Sequence, residues 1–558
     1  MSIASIASYT KHVIVFEKVC PLKSVAIYTQ SERSRSIELE PEHPSSGLTV
    51  PTFLRGHILH YIMQSSLLEP ADPEDRFRGS DETIPAWLGK QILADLLILP
   101  ADVTAQIFHH ACRPIVGDPK RRRKLTPLAL GRVCKSWREI AWSTSVLWTD
   151  VIVRVAIETR CDLQADLLNQ WLARSKGRPL DIFFEIHHQY NRNPRFVFPL
   201  VDALLKTHTQ WQRVTWIGVA ATIHPIWATR LHRCISESPE TSTTFPLLTS
   251  IAIDYIFCQA AVPPQLQFDF TSAPSLCRVL CLAAPSCSLS NIRCPSSQIT
   301  ELTISKVYDL DSYDLLRSYP NLKKLTLADF AIRDHAAPRV VDNHNLRCLS
   351  IRSIIWFDVV QFLYHLCLPQ LEALNIYINS GPWDFSLPAF IEYAQCILTT
   401  LSLECVLPAE KNIIIMLSSL SLSSLTTLHI RDTPPAGFQD SSALEPGLSQ
   451  AFFDALNPGL EDRMAYLPYL EILTYDGILG VRNISFLSAV LIRSRMKDTE
   501  LLPEGPASAI AVLHQVKIKA DQPCSIGECP DAQLVWEVVC AIENGLLTLI
   551  TPEGKHWI

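Results

Sequence analysis

LKKLTLADFAIRDHAAPRVVDNHNLRCLSI, residues 322–351, contains one six-residue pattern twice: apolar-x-x-apolar-x-apolar, from Leu322 and again from Leu346. Its last two apolar positions alternate with polar ones, the period of a strand with one buried face. The pattern recurs in both directions as LTSIAI from Leu248, a weaker LCRVLC from Leu276, ITELTI from Ile299, LEALNI from Leu371, LTTLSL from Leu398, LTTLHI from Leu425, LEILTY from Leu470 and LHQVKI from Leu513. From 248 to 425 the copies start 28, 23, 23, 24, 25, 27 and 27 residues apart. That is the spacing of a strand-plus-helix coil, ~20–29 residues.

Proline supplies the punctuation. Pro246, Pro274, Pro320, Pro369 and Pro468 each lie two residues ahead of the first apolar position of their copy. Proline ends a helix and holds its neighbour extended, so each unit reads as helix, stop, short strand. Helical candidates fall between strands: WFDVVQFLYHL (356–366), EKNIIIMLSSL (410–420), SQAFFDALN (449–457), ISFLSAVLIRSRM (484–496) and AQLVWEVVCAIENG (532–545). One such unit cannot bury its strand face alone, so the units must stack. The expectation is an α/β solenoid over 221–558, with short parallel strands on the concave face and helices on the convex face. The longer step from 425 to 470 contains DTPPAGFQDSSALEPG, read as a loop insertion, and the step from 470 to 513 contains a long helix.

These repeats resemble the irregular leucine-rich repeats, with one departure. The asparagine or cysteine that usually follows the strand is replaced at Ile256, Phe330 and Ile354, although Asn379 fits. Parity along each strand points Asp254, Arg352, Asn375, Tyr377, Glu404, His429, Arg431 and Asp476 away from the core. Such a mixture suits recognition of a polar protein surface; it also suits a merely solvated strand face. Asp254, Arg352, Tyr377, Glu404, Arg431 and Asp476 are the candidate substrate contacts.

The composition excludes several function classes. Apolar residues make up 48% and charged ones 19%, enough for a sizeable core. A net charge of -7 gives no general attraction to nucleic acid or anionic lipid, and no uncharged apolar run reaches membrane-spanning length. The start, MSIASIASYTKHVIVFEKVC, lacks the layout of a secretory signal, so a cytoplasmic or nuclear protein is expected. The 17 cysteines are scattered singly, as at Cys258 and Cys540, and read as reduced packing residues; Cys524 and Cys529 would need further ligands to hold zinc. The sequon Asn483-Ile484-Ser485 has no meaning in a reducing compartment. No phosphate-binding glycine loop, metalloprotease motif or nucleophile elbow occurs, and His109-His110 and His187-His188 are adjacent rather than four apart. These absences point to a non-catalytic protein without cofactor or metal.

Upstream of the repeats runs LPADVTAQIFHHACRPIVGDPKRRRKLTPLALGRVCKSWREIAWSTSVLW, residues 99–148. A first helix starts near Pro100, with Asp102 complementing its dipole and Val103, Ile107, Phe108 and Ala111 on one stripe. A second, from about Leu128, aligns Val133, Trp137, Ile140 and Ala141. The leading Leu-Pro-x-acid, the Leu-x-x-Val-Cys-Lys-x-Trp-Arg-x-Ile-Ala block and the closing Leu-Trp together resemble an F-box, particularly of the expanded fungal families; WLARSKGRPLDI (171–182) and TQWQRVTW (209–216) are also similar to them. Asp102 stands for the usual glutamate, Ser145 for a proline, and the loop between the helices is long.

The resemblance implies a docking module. An F-box packs on a Skp-type adaptor and so brings a cullin-RING ubiquitin ligase to a protein substrate bound elsewhere on the chain. By that analogy Leu99, Pro100, Val103, Ile107, Phe108, Val133, Cys134 and Trp137 contact or support the adaptor. Trp148 is expected to pack this unit against the segment leading to the repeats. The alternative is a leucine-rich-repeat scaffold outside any ligase. The run Lys120-Arg121-Arg122-Arg123-Lys124 reads as a solvated loop or as a nuclear localisation signal. The expected order is a flexible segment over 1–85, an F-box-like unit over 86–150, a connection over 151–220, then the solenoid.

Overall fold

The computed structural model describes residues 99–112, 125–155, 160–186, 194–220, 224–237, 244–256, 267–282, 292–305, 312–330, 340–353, 356–378, 387–405, 410–432, 447–456, 467–477, 479, 486–495, 511, 513–520 and 531–551. Outside them lie the expected flexible segment 1–85, the basic run 120–124, the pair at 187–188, Cys258, Ile354, Asn379, most of the loop insertion 432–447, the sequon 483–485, and Cys524 and Cys529.

The chain opens with α1 (Ala101–Cys112), α2 (Pro127–Val133), α3 (Lys135–Ser143) and a 3-10 turn over Ser145–Trp148. Next come β1 (Asp150–Val155), α4 (Cys161–Ser175), β2 (Leu180–Ile186), α5 (Phe198–Leu205), β3 (Trp211–Ala220), α6 (His224–Glu237), β4 (Ser250–Ile256), β5 (Phe268–Asp269), β6 (Arg278–Leu282), β7 (Ile292–Arg293) and β8 (Glu301–Ser305). The rest comprises α7 (Ser312–Ser318), β9 (Lys324–Phe330), β10 (Val341–Asp342), β11 (Cys348–Ser353), α8 (Trp356–Leu363), β12 (Leu366–Cys367), β13 (Ala373–Ile378), α9 (Leu387–Ala394), β14 (Thr400–Cys405), α10 (Glu410–Leu417), β15 (Thr427–Asp432), α11 (Gln450–Ala455), β16 (Ile472–Gly477), α12 (Leu487–Arg495), β17 (Gln515–Ala520), α13 (Ala532–Glu543) and β18 (Leu547–Ile550). Every repeat copy is a strand, and the five helical candidates are helices.

Fourteen strands form one parallel sheet in the order β1-β2-β3-β4-β6-β8-β9-β11-β13-β14-β15-β16-β17-β18, while β5 pairs with β7 and β10 with β12. The order never reverses. A doubly wound sheet reverses at a switch point and binds ligands there; a monotonic order is instead that of a solenoid-like α/β stack.

Register explains the stacking. Leu302, Leu325, Leu349, Leu374, Leu401, Leu428 and Leu473 occupy one rung on successive strands. Two residues on, Ile304, Leu327, Ile351, Ile376, Leu403, Ile430 and Tyr475 occupy the next. All are buried in the cluster that also takes the apolar stripes of the helices. Each such side chain contributes ~1.5–3 kcal/mol relative to exposure. The backbone repeats as well: Cys277 O accepts from both Thr300 N and Glu301 N, Thr300 O from Lys323 N and Lys324 N, and so on to Thr399 O, which accepts from Thr426 N and Thr427 N.

Side-chain bonds also tie successive coils together on the entry side of the strands. Ser275 Oγ donates to Pro246 O at 3.3 Å, Asn321 Nδ2 to Ser297 O at 2.7 Å, Asn345 Nδ2 to Pro320 O at 2.9 Å and Ser424 Oγ to Leu398 O at 2.9 Å. Each donor immediately precedes the leading apolar residue of its copy, so one coil ties to the last at the same place.

Two expectations need correction. The stretch 151–220 is no mere connection, because β1, β2 and β3 are the first strands of the sheet. Register aligns Val151, Ile182, Val214 and Ile251, which puts Trp148 and Trp211 where Leu248 stands in its copy, while buried Leu180 pairs with Trp211 across a register shift. The steps from 151 to 182 to 214 to 251 are 31, 32 and 37 residues, longer because coils such as that of the 15-residue α4 are longer. The single helix from Leu128 is also broken. Cys134 is extended, at φ -155 and ψ 173, ending α2 and capping α3 as its Sγ accepts from Trp137 N at 3.4 Å. Val133 therefore leaves the stripe of Trp137 and Ile140.

Candidate protein-docking surfaces

In the helical unit, Phe108 and Trp137 meet edge to face with ring centroids 4.9 Å apart, both buried. About 50 residues give little interior, and this pair supplies its centre. Pro100 is exposed, and its carbonyl accepts both the N–H of Thr104 at 3.0 Å and its hydroxyl at 3.1 Å. Val133 is 52% exposed and Leu128 46%. Leu99, Val103, Ile107 and Cys134 are half-buried. Of the candidate adaptor residues, then, Pro100 and Val133 face solvent, four sit at the boundary, and Phe108 and Trp137 support the rest from within. His109 and His110 occupy the last turn of α1.

The remaining tryptophans splice this unit to the sheet. Trp142 lies over Gly131, and its ring centroid is 5.7 Å from that of Trp148. Trp148 donates through Nε1 to Ala141 O at 2.8 Å and packs edge to face on Trp171 of α4 at 4.7 Å. Trp171 Nε1 returns a bond to Trp148 O at 3.0 Å, and the Arg174 guanidinium lies 4.9 Å from the centre of the Trp148 ring. Trp148 thus closes the helical unit and begins the first coil.

On the sheet, the face opposite the core carries the parity residues. All six candidates share one register row, which reads Asp254, Leu282, Ser305, Ala328, Arg352, Tyr377, Glu404, Arg431, Asp476, Lys519, Ile550. Charges alternate along its later part. Arg431 Nη1 donates to Glu404 Oε1 at 2.8 Å, Arg431 Nε lies 3.4 Å from Asp476 Oδ2, and Lys519 Nζ donates to Asp476 Oδ2 at 3.0 Å. Opposite charges on neighbouring strands stabilise the sheet, but neutralise one another. His429, one row away between Ser402 and Thr474, has its pKa pushed below the ordinary histidine value by burial.

The earlier strands behave alike. Arg213 Nε donates to Asp181 Oδ1 at 2.7 Å, and its second nitrogen bonds Oδ2. Arg154 Nε donates to Glu185 Oε2 at 2.8 Å. Arg278 grips Glu301 with both nitrogens, at 2.7 and 2.9 Å, and this bond holds the Glu301 carboxyl below the usual carboxylate range. Arg352 differs: its guanidinium sits 4.1 Å from the centre of the Tyr377 ring and forms no ion pair among the described residues. Sequence reasoning missed Lys519, although the rule that found Glu404, Arg431 and Asp476, the position just after the last apolar residue, also selects it in LHQVKI.

Among the described residues no three His, Cys, Asp or Glu side chains group as metal ligands, and no helix is long and apolar enough to cross a membrane. A scan of the chain against protein-family models finds no match, and a search of the curated proteins finds none.

Proposed function

We propose that the chain is a substrate-recognition subunit of a Skp-cullin-F-box type ubiquitin ligase, in which the helical unit docks a Skp-type adaptor and the open face of the sheet holds a protein target. The observation that carries this reading is the splice at Trp148: a small unit, with apolar Val133 and Leu128 left in solvent, is joined by packed and hydrogen-bonded tryptophans to a long stack that carries a row of charged residues on the face opposite its core. Tryptophan-centred, apolar-rimmed helical surfaces of this kind suit a partner helix. The chain itself supplies no chemistry in this reading; ubiquitin transfer belongs to the partners.

Retention by a purified Skp-type adaptor tests it. A Pro100→Ala, Val133→Glu double variant changes exposed side chains only, whereas removing buried Trp137 would cost ~3–5 kcal/mol of packing and confuse docking with folding. The intact chain is expected to be retained and the double variant released. Retention of neither leaves the second reading, a scaffold outside any ligase.

A further inference from the structure

The open face is electrically settled except at its middle. Arg154, Arg213, Arg278 and Arg431 each bond a carboxylate on an adjacent strand. Arg352 does not. It stands on β11, the eighth strand of fourteen, with its guanidinium over the Tyr377 ring. On its other flank the row continues through the short side chains of Ala328 and Ser305, and Arg352 itself is exposed. A second cation, Lys324, lies on the same face of β9, four residues before Ala328; its neighbour in register is Glu301, whose carboxylate is already held by Arg278.

The backbone singles out the same place. From β4 to β18 the strands pair in unbroken register except between β9 and β11, where the register shifts between Arg352 and Ser353. The extra residue is Asp329, at φ 51, a left-handed conformation uncommon outside glycine and reached by aspartate more readily than by most residues. It makes no bond to Arg352. Bulges of this kind re-aim side chains and occur beside functional sites.

We infer that Arg352, backed by Tyr377 and accompanied by Lys324, is the anchor of a docking site for an extended acidic segment of a partner protein. This rests on the proposed role of the open face and gives it a substrate class. A guanidinium held against an aromatic ring can still pair through its N–H groups with a carboxylate, and Arg and Tyr near the centre of a surface are the residues that dominate binding. Four residues of strand span ~13 Å, so the two cations match carboxylates about four residues apart in an extended chain. The rows between them present Thr326 and Ser350, short side chains able to bond a peptide backbone. To either side the paired charges offer an acidic chain no net attraction, which confines it to this position.

Fluorescence anisotropy of the full-length chain with labelled decapeptides tests this. One peptide carries two glutamates four apart in a glycine-serine background; controls carry glutamine, or the glutamates at adjacent positions. The four-apart peptide is expected to bind best, and less tightly as salt rises. Arg352→Ala is expected to weaken it about tenfold, the loss of one charge-assisted bond; Tyr377→Phe retains binding and Tyr377→Ala loses several-fold. Arg154→Ala, at a paired position remote from β9 and β11, leaves affinity unchanged. Equal binding of the glutamine peptide, indifference to Arg352→Ala, or preference for a 15-nucleotide single-stranded DNA over every peptide overturns the inference. Adaptor retention measured on the same preparations separates the two readings: peptide binding without adaptor retention leaves the acidic site standing and removes the ligase role.

Discussion

Gly131 shows how one residue sets a surface. A Cβ built there would lie 1.9 Å from a ring carbon of Trp142, whose edge fills the place of the missing side chain. Either the ring or α2 must move to admit it. Gly131→Ala is therefore expected to destabilise the helical unit by ~1–3 kcal/mol, the cost of overpacking. Chemical denaturation followed by tryptophan fluorescence checks this, and Trp142→Leu in the same chain should recover most of the loss. Unchanged stability of the single variant would mean that the ring does not rest on Gly131. Arg493 is a residue of another kind: fully buried, it donates to Leu456 O and Leu470 O and bonds Leu467 O, drawing three segments together. Burial lowers its pKa to about 10, which still leaves it charged at neutral pH.

At the scale of elements, the break between α2 and α3 depends on a side chain that caps rather than packs. Cys134 accepts from Trp137 N through sulfur at 3.4 Å, a weak form of the bond serine makes at the start of a helix. Cys134→Ser should retain or slightly raise the melting temperature, while Cys134→Ala should cost about 1 kcal/mol. Equal melting of both variants would show that the cap contributes nothing. Periodicity could not foresee this break: Val133, Trp137, Ile140 and Ala141 keep helical spacing straight through it. The solenoid strands were legible because leucine recurs at one spacing, and β1 and β3 were hidden because tryptophan, at positions 148 and 211, stands in the leading place.

At the scale of the whole molecule, each coil contacts mainly its neighbours, so stability propagates along the stack and its ends need cover. The helical unit meets the first coil through Trp148 and Trp171. Removing residues 99–148 would take Trp148 away from Trp171 and leave apolar surface of the first coil in water, where it favours association. The shortened chain is expected to melt lower and to elute as aggregates in size-exclusion chromatography; a monomer of unaltered melting temperature would show that the splice adds no stability.

What the sequence determined by itself is local: the alternation within each strand, the proline before it, the helical stripe after it, and the parity that puts Asp254, Arg352, Tyr377, Glu404, Arg431 and Asp476 on one face. What only the tertiary structure decided is which of those charges meet. Glu404, Arg431, Asp476 and Lys519 lie 27, 45 and 43 residues apart in sequence, and their pairing depends on strand register, to which distant coils and their loops all contribute. The same register brings Arg352 beside a ring instead of a carboxylate, a difference of neighbours that no single repeat contains.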